Sequence, residues 1–160
     1  MPGRTFESLL RENTIMLLLV FNGILLVASW VMSLVAYPHL PGQIPFMIAL
    51  SGRAWLSGTK SPLFFLLPLL QSGLFLAAYL LAGIIARARG GGRKAQIIQE
   101  AFFLIFIFIQ LIFIHIQRSL IYLAHGVEGG FSPTYFFALC AIVLVLIPYF
   151  HLRLKLVEKS

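Results

Sequence analysis

The 160-residue chain contains no aspartate, five glutamates and one cysteine, and only 11% of its residues are charged. So few acids leave almost nothing for paired-carboxylate chemistry. A single cysteine, Cys140, cannot close an internal disulfide, and within its apolar run it reads as a small buried hydrophobe. The sequence also lacks a nucleophile elbow, a phosphate-cradling glycine loop, a paired-cysteine motif and a zinc-protease motif; Gly90-Gly91-Gly92 is a bare linker. These absences exclude the common enzyme signatures, and no enzymatic activity and no cofactor are expected. Charge this sparse, with 60% hydrophobic residues and a mean hydropathy of +0.97, also excludes an ordinary soluble domain and a disordered chain. An integral membrane protein remains.

The net charge of +7 comes from basic residues in short clusters beside apolar runs. That pattern fits anchors facing anionic headgroups and gives no reason to expect nucleic acid as a partner. Crossing the hydrocarbon core takes roughly 20 mostly apolar residues. Four stretches meet this requirement, at about 14–36, 62–86, 96–124 and 133–151, and none shows the alternation of a membrane β-barrel. The first is too long for a signal peptide and lacks a small-x-small cleavage site before Ala36, so it reads as a retained helix. The expected fold is an all-α integral membrane protein: one four-helix bundle, built as two helical hairpins and forming a single domain over 1–160.

With four spans, the N-terminus, the middle connection and the C-terminal tail share one side. That side carries Arg4, Arg11, Arg87, Arg89, Arg93, Lys94, Arg153, Lys155 and Lys159, while the opposite side carries Arg53, Lys60 and Arg118. The excess places both termini in the cytoplasm, and the expected home is a bacterial inner membrane. Residues 3–12 mix Phe6, Leu9 and Leu10 with Arg4, Glu7, Arg11 and Glu12, and read as a short amphipathic turn on the inner interface.

The outer connection, residues 37–61, opens Tyr37-Pro38-His39-Leu40-Pro41-Gly42-Gln43-Ile44-Pro45. Three prolines there exclude a regular helix and favour an extended or turn-rich path. Phe46 to Leu50 is apolar enough to enter the interface. Ser51-Gly52 and Ser57-Gly58-Thr59 read as turns. Trp55 suits the aromatic belt and Lys60 the headgroup level.

This stretch resembles a bacterial membrane domain of unknown function found at the N-terminus of SdpI-type immunity proteins. The matching elements are Tyr37 to Pro45, Gly52, Gly58-Thr59-Lys60 and Leu67-Pro68-Leu69, over about residues 14–85. Met47, Ala49 and Trp55 stand where that family usually has a histidine, an asparagine and an acid. The resemblance implies the first hairpin and a bacterial inner-membrane location, and it brings in a role in toxin immunity or sensing through the outer loop.

Within the spans, the third stretch is richest in polar groups. Gln96, Gln110 and Gln117 recur at multiples of seven, and Gln99 joins them at helical spacing. Buried glutamines bond across helices, so this reads as a packing seam within the bundle or toward another subunit, ahead of a polar pore. The five phenylalanines of the same stretch suit a surface facing lipid or protein. A second stripe carries His115, Arg118, Tyr122 and His125; with His39 and Glu128 it offers donors for zinc or copper, but without the usual ligand spacing. No metal is expected, and a wet outer interface with Arg118 reaching phosphate accounts for the stripe. Glu100, the one intramembrane acid, reads as an interfacial salt bridge with the inner basic residues, ahead of a proton relay. Pro68 and Pro148 are expected to kink their helices.

The resulting reading is a non-enzymatic membrane protein acting through protein contacts. Its partners are the bilayer and other membrane subunits or further copies of itself, and an accessory subunit of a larger complex is the first form. A stand-alone SdpI-like immunity or sensing protein, and a small transporter or metal-binding protein, are the alternatives.

Overall fold

The computed structural model describes residues 6–88, 92–127 and 130–158. It runs α1 (Phe6–Ala36), a 3-10 turn (Tyr37–His39), β1 (Gln43–Ile48), β2 (Ala54–Thr59), a second 3-10 turn (Pro62–Phe65), α2 (Leu66–Ala88), α3 (Gly92–Ala124) and α4 (Pro133–Glu158). Among the described residues, four helices are long and apolar enough to cross a membrane, and the chain is a multi-pass membrane protein. All four expected spans are present. The ends differ because apolar content marks the bilayer crossing, whereas backbone hydrogen bonding carries helices beyond it. α1 is continuous from Phe6, so residues 6–12 belong to the same helix as the first span and are not a separate turn; residues 3–5 lie outside the described residues. α4 continues past His151 to Glu158.

The outer connection departs from the all-α expectation. It folds into an antiparallel hairpin with Gln43 opposite Thr59, Ile44 opposite Gly58 and Pro45 opposite Ser57. Pro45 is tolerated because β1 has one strand neighbour only. The reversal is made at Ala49–Arg53: the Gly52 amide donates to the Ala49 carbonyl at 2.8 Å, the Ala49 amide to the Arg53 carbonyl at 2.9 Å, and Gly52 takes φ +80°. Ser57-Gly58-Thr59 therefore lies within β2 and is not a turn. The register skips at Phe46 and again at Trp55, two bulges that re-aim those side chains.

The arrangement of the helices also differs from two hairpins side by side. α3 is central, and α1, α2 and α4 each pack mainly on it, while α1 and α2 touch each other much less. In an apolar 18-residue stretch of α3, 39% of the residues are buried, against 11% in the matching stretch of each of the others. Phe103 and Phe106 are buried while Phe102, Phe108 and Phe113 are half-buried, so this phenylalanine-rich helix faces mainly protein, the other three helices. Pro68 lies in the first turn of α2, where an amide hydrogen is not needed, so it caps the helix and does not kink it. Pro148 lies inside α4, which continues through it.

Candidate interaction site

Three helices meet through uncharged polar side chains. Asn22 of α1, Gln71 of α2 and Gln110 of α3 are fully buried. The Gln110 amide donates to Asn22 Oδ1 at 2.8 Å and to the Asn22 carbonyl at 3.1 Å. Gln71 Nε2 donates to Gln110 Oε1 at 2.9 Å, and Asn22 Nδ2 donates to the Phe103 carbonyl at 3.0 Å. Two helical turns along, Gln117 repeats the motif. It accepts from Ser29 Oγ at 2.7 Å, donates to the Ser29 carbonyl at 3.1 Å, and is bonded to Ser33 Oγ. No member of this spine titrates near neutral pH, so its chemistry is to hold α1, α2 and α3 in one register.

Gln110 and Gln117 thus face α1. Gln99 shares that face, opening toward the cleft between α1 and α2, whereas Gln96 lies beside Glu100 and Arg153. Gln71 was not singled out from the sequence; an amide within the second apolar run was its signal.

The hairpin sits on the outer end of α3. Leu40, Ile44 and Phe64 form a buried cluster, closed by Tyr37, Phe46, Ile121 and Ala124. Lys60 locks its base, donating to the Pro38 and Leu40 carbonyls at 3.1 Å each, with its ammonium 5.0 Å from the centre of the Tyr37 ring. It is therefore held by the loop itself, an internal role that apolar-loop patterning did not suggest. At the reversal, Gly52 approaches Phe131 in the α3–α4 connection. β1 packs against α3, leaving β2 as the outer edge, with Ala54 to Ser57 exposed and Trp55 77% exposed. Such an edge presents unpaired backbone groups to an incoming chain.

The histidine stripe does not converge. Buried His115 places Nε2 3.2 Å from the Ser132 carbonyl and stacks near Phe131 and Tyr135. His125 Nδ1 lies 2.8 Å from the Ile121 carbonyl at the end of α3. Arg118 lies 4.9 Å over the Tyr122 ring, and His39 is exposed on its 3-10 turn. Among the described residues no three His, Cys, Asp or Glu side chains are gathered as a metal site would need; Glu128 lies outside them.

At the other end of the molecule, Arg153 of α4 donates to Glu100 of α3 at 2.7 Å. Arg93 lies beside this pair, Arg87 is exposed at the end of α2, and Lys94 is half-buried; Arg89 is outside the described residues. Glu100 is thus neutralised by a neighbouring helix, which ties α4 to the core.

Residues 24–71 match the family model of a domain of unknown function, DUF1648, the domain found in SdpI-type proteins. The matched stretch runs from the middle of α1 through the hairpin into α2, and bears out the resemblance drawn from Tyr37 to Pro45 and Leu67-Pro68-Leu69. No curated protein and no solved structure matches the chain.

Proposed function

We propose that this chain is a non-enzymatic protein of the bacterial inner membrane, with both termini in the cytoplasm, that works by binding an extended protein segment along its outer hairpin. The observation that carries this reading is the β2 edge, an open strand paired with β1, which packs on α3, with Trp55 projecting from a bulge. An added strand gains main-chain hydrogen bonds, and the indole supplies a large anchor. The match over residues 24–71 supports the SdpI-like form of the reading, since the hairpin lies inside it. The accessory-subunit form is the second reading. It is favoured by α4, which packs mainly on α3 and leaves much of its surface exposed.

The orientation rests on the nine basic residues of one side against three of the other. A cysteine at Ser57 should react with an impermeant maleimide in intact cells, and one at Lys155 only after lysis. The reverse pattern overturns the orientation.

For the binding reading, the chain is gently solubilised, sized, and everything that travels with it is identified by mass spectrometry. A partner bound through the hairpin should be lost on Trp55→Lys, with affinity falling about 30-fold, as for an interface anchor. Subunits that stay in fixed ratio despite Trp55→Lys favour the accessory form and overturn the hairpin. Elution alone, with no partner captured in intact membranes, overturns both.

A further inference from the structure

We propose that the cleft between α1 and α2, on the side of the bilayer that holds both helix termini, binds one anionic phospholipid. The inference does not depend on the hairpin's role. α1 and α2 are joined near the hairpin, where Trp30 donates to Ser72 Oγ at 3.0 Å and stacks on Phe65. Farther from the hairpin they part, leaving a cleft of about 670 Å³ that α3 floors with Phe103 and Gln99. Its volume falls within the roughly 300–1,000 Å³ of small-molecule sites.

The lining is graded along the membrane normal. Arg87, exposed at the end of α2, is the one charged residue that lines it among the described residues. Gln99 is half-buried and has no hydrogen bond to another described residue. Gln71 meets Gln110 and Phe75 meets Phe106, which sets Gln99 level with Ala82; Ile84 above that level, with Leu80 and Leu19, lines an apolar trough. Eight residues separate Arg87 from Tyr79, another lining residue, so the trough reaches about 12 Å inward along α2. A cation at the rim above a largely apolar trough matches a lipid's phosphate and acyl chain, and the Gln99 amide partway down can meet an ester linkage. Basic pockets between transmembrane helices recognise anionic headgroups on this principle. A soluble anion would leave the trough unfilled, and a helix from another protein would have one charge to address and no backbone edge to pair with.

Gly83 makes the cleft testable. A Cβ at this position meets nothing within 4 Å, so a side chain there enters the cleft without disturbing the helices. Leucine also favours helix over glycine.

The full-length protein, purified in a mild detergent, is offered phosphatidylglycerol or phosphatidylcholine, and bound lipid is counted by native mass spectrometry. The wild type should retain one phosphatidylglycerol with a preference of about fivefold, the value of one basic residue at a membrane surface. Arg87→Gln should abolish the preference while still admitting lipid, and Gly83→Leu should exclude both lipids with elution volume and melting unchanged. Arg53→Gln, in the outer loop, should keep the preference. Equal retention of the two lipids by the wild type overturns the proposal. So does unchanged retention in both Arg87→Gln and Gly83→Leu, or loss of preference in Arg53→Gln, which would mark diffuse charge attraction. Excess inorganic phosphate should displace nothing; displacement would mean an anion site without a lipid and would also overturn it.

Discussion

Replacing Gln110 with alanine is expected to lower the stability of the solubilised protein by about 2–4 kcal/mol. One side chain makes three interhelical bonds: to Asn22 Oδ1, to the Asn22 carbonyl and from Gln71 Nε2. Bonds of this kind between transmembrane helices average about 0.6 kcal/mol and reach about 1.7 kcal/mol. Alanine also strands the partners where no water can replace the lost amide, which raises the cost above the simple sum. Gln71→Leu makes the comparison. It loses one bond and strands Gln110 Oε1, but it also removes Gln71 Oε1, a buried oxygen with no partner among the described residues, so the count of stranded oxygens does not rise. Its cost should therefore stay below about 1 kcal/mol. Reversible unfolding in mixed micelles measures both variants, and the Asn22→Ala, Gln110→Ala cycle measures their coupling. A Gln110→Ala variant within about 0.5 kcal/mol of the wild type would mean the spine does not hold the helices together.

Gly130→Ala is expected to cost about 2 kcal/mol, the usual scale for forcing a methyl into packed space. An added Cβ would lie 2.6 Å from Tyr122 Cβ and 3.0 Å from its Cδ2. The nearest atom is fixed by the α3 backbone, so rotating the ring away gives no relief and Tyr122→Ala should not rescue the variant. The connection must move instead. It carries the bond from Ser119 Oγ to the Gly130 carbonyl, at 3.0 Å, and the His115–Ser132 contacts, so α4 loosens at its outer end. Gly23→Ala and Gly73→Ala are the controls: both glycines are helical, and a Cβ at either meets nothing within 4 Å. Those two should be neutral or stabilising, because alanine favours helix over glycine. The same chemical change thus has opposite signs at different sites, and melting temperatures in one detergent distinguish them. Equal effects at all three positions would show that packing against Tyr122 is not what requires glycine at 130.

Much of the architecture is legible from single residues. Long apolar runs bounded by basic clusters define four spans because the bilayer requires that length and that composition, whatever the neighbouring helices do. Glu100 reads as one half of an ion pair for a similar reason, since a carboxylate inside the boundary needs a cation within reach, and Arg153 supplies it. The outer stretch from Tyr37 is recognisable by its prolines, but its strands are not. Ser57-Gly58-Thr59 has turn composition, and becomes strand because Gly58 lies against Phe46, where a Cβ would meet the ring at 3.1 Å.

What the sequence determined by itself is the class of the protein, its four crossings, the positions of its polar groups and a domain resemblance over the first half. Those follow from local composition, which acts on each segment separately. The tertiary structure alone decided which crossing is central, which glutamines meet, and where the outer loop rests. Gln96, Gln99, Gln110 and Gln117 are alike in type, yet among the described residues only the last two hydrogen-bond to α1. Every helix here is apolar on most sides, so hydrophobicity does not say which face is turned inward; pairing between distant polar groups, such as Asn22 with Gln110, fixes that choice.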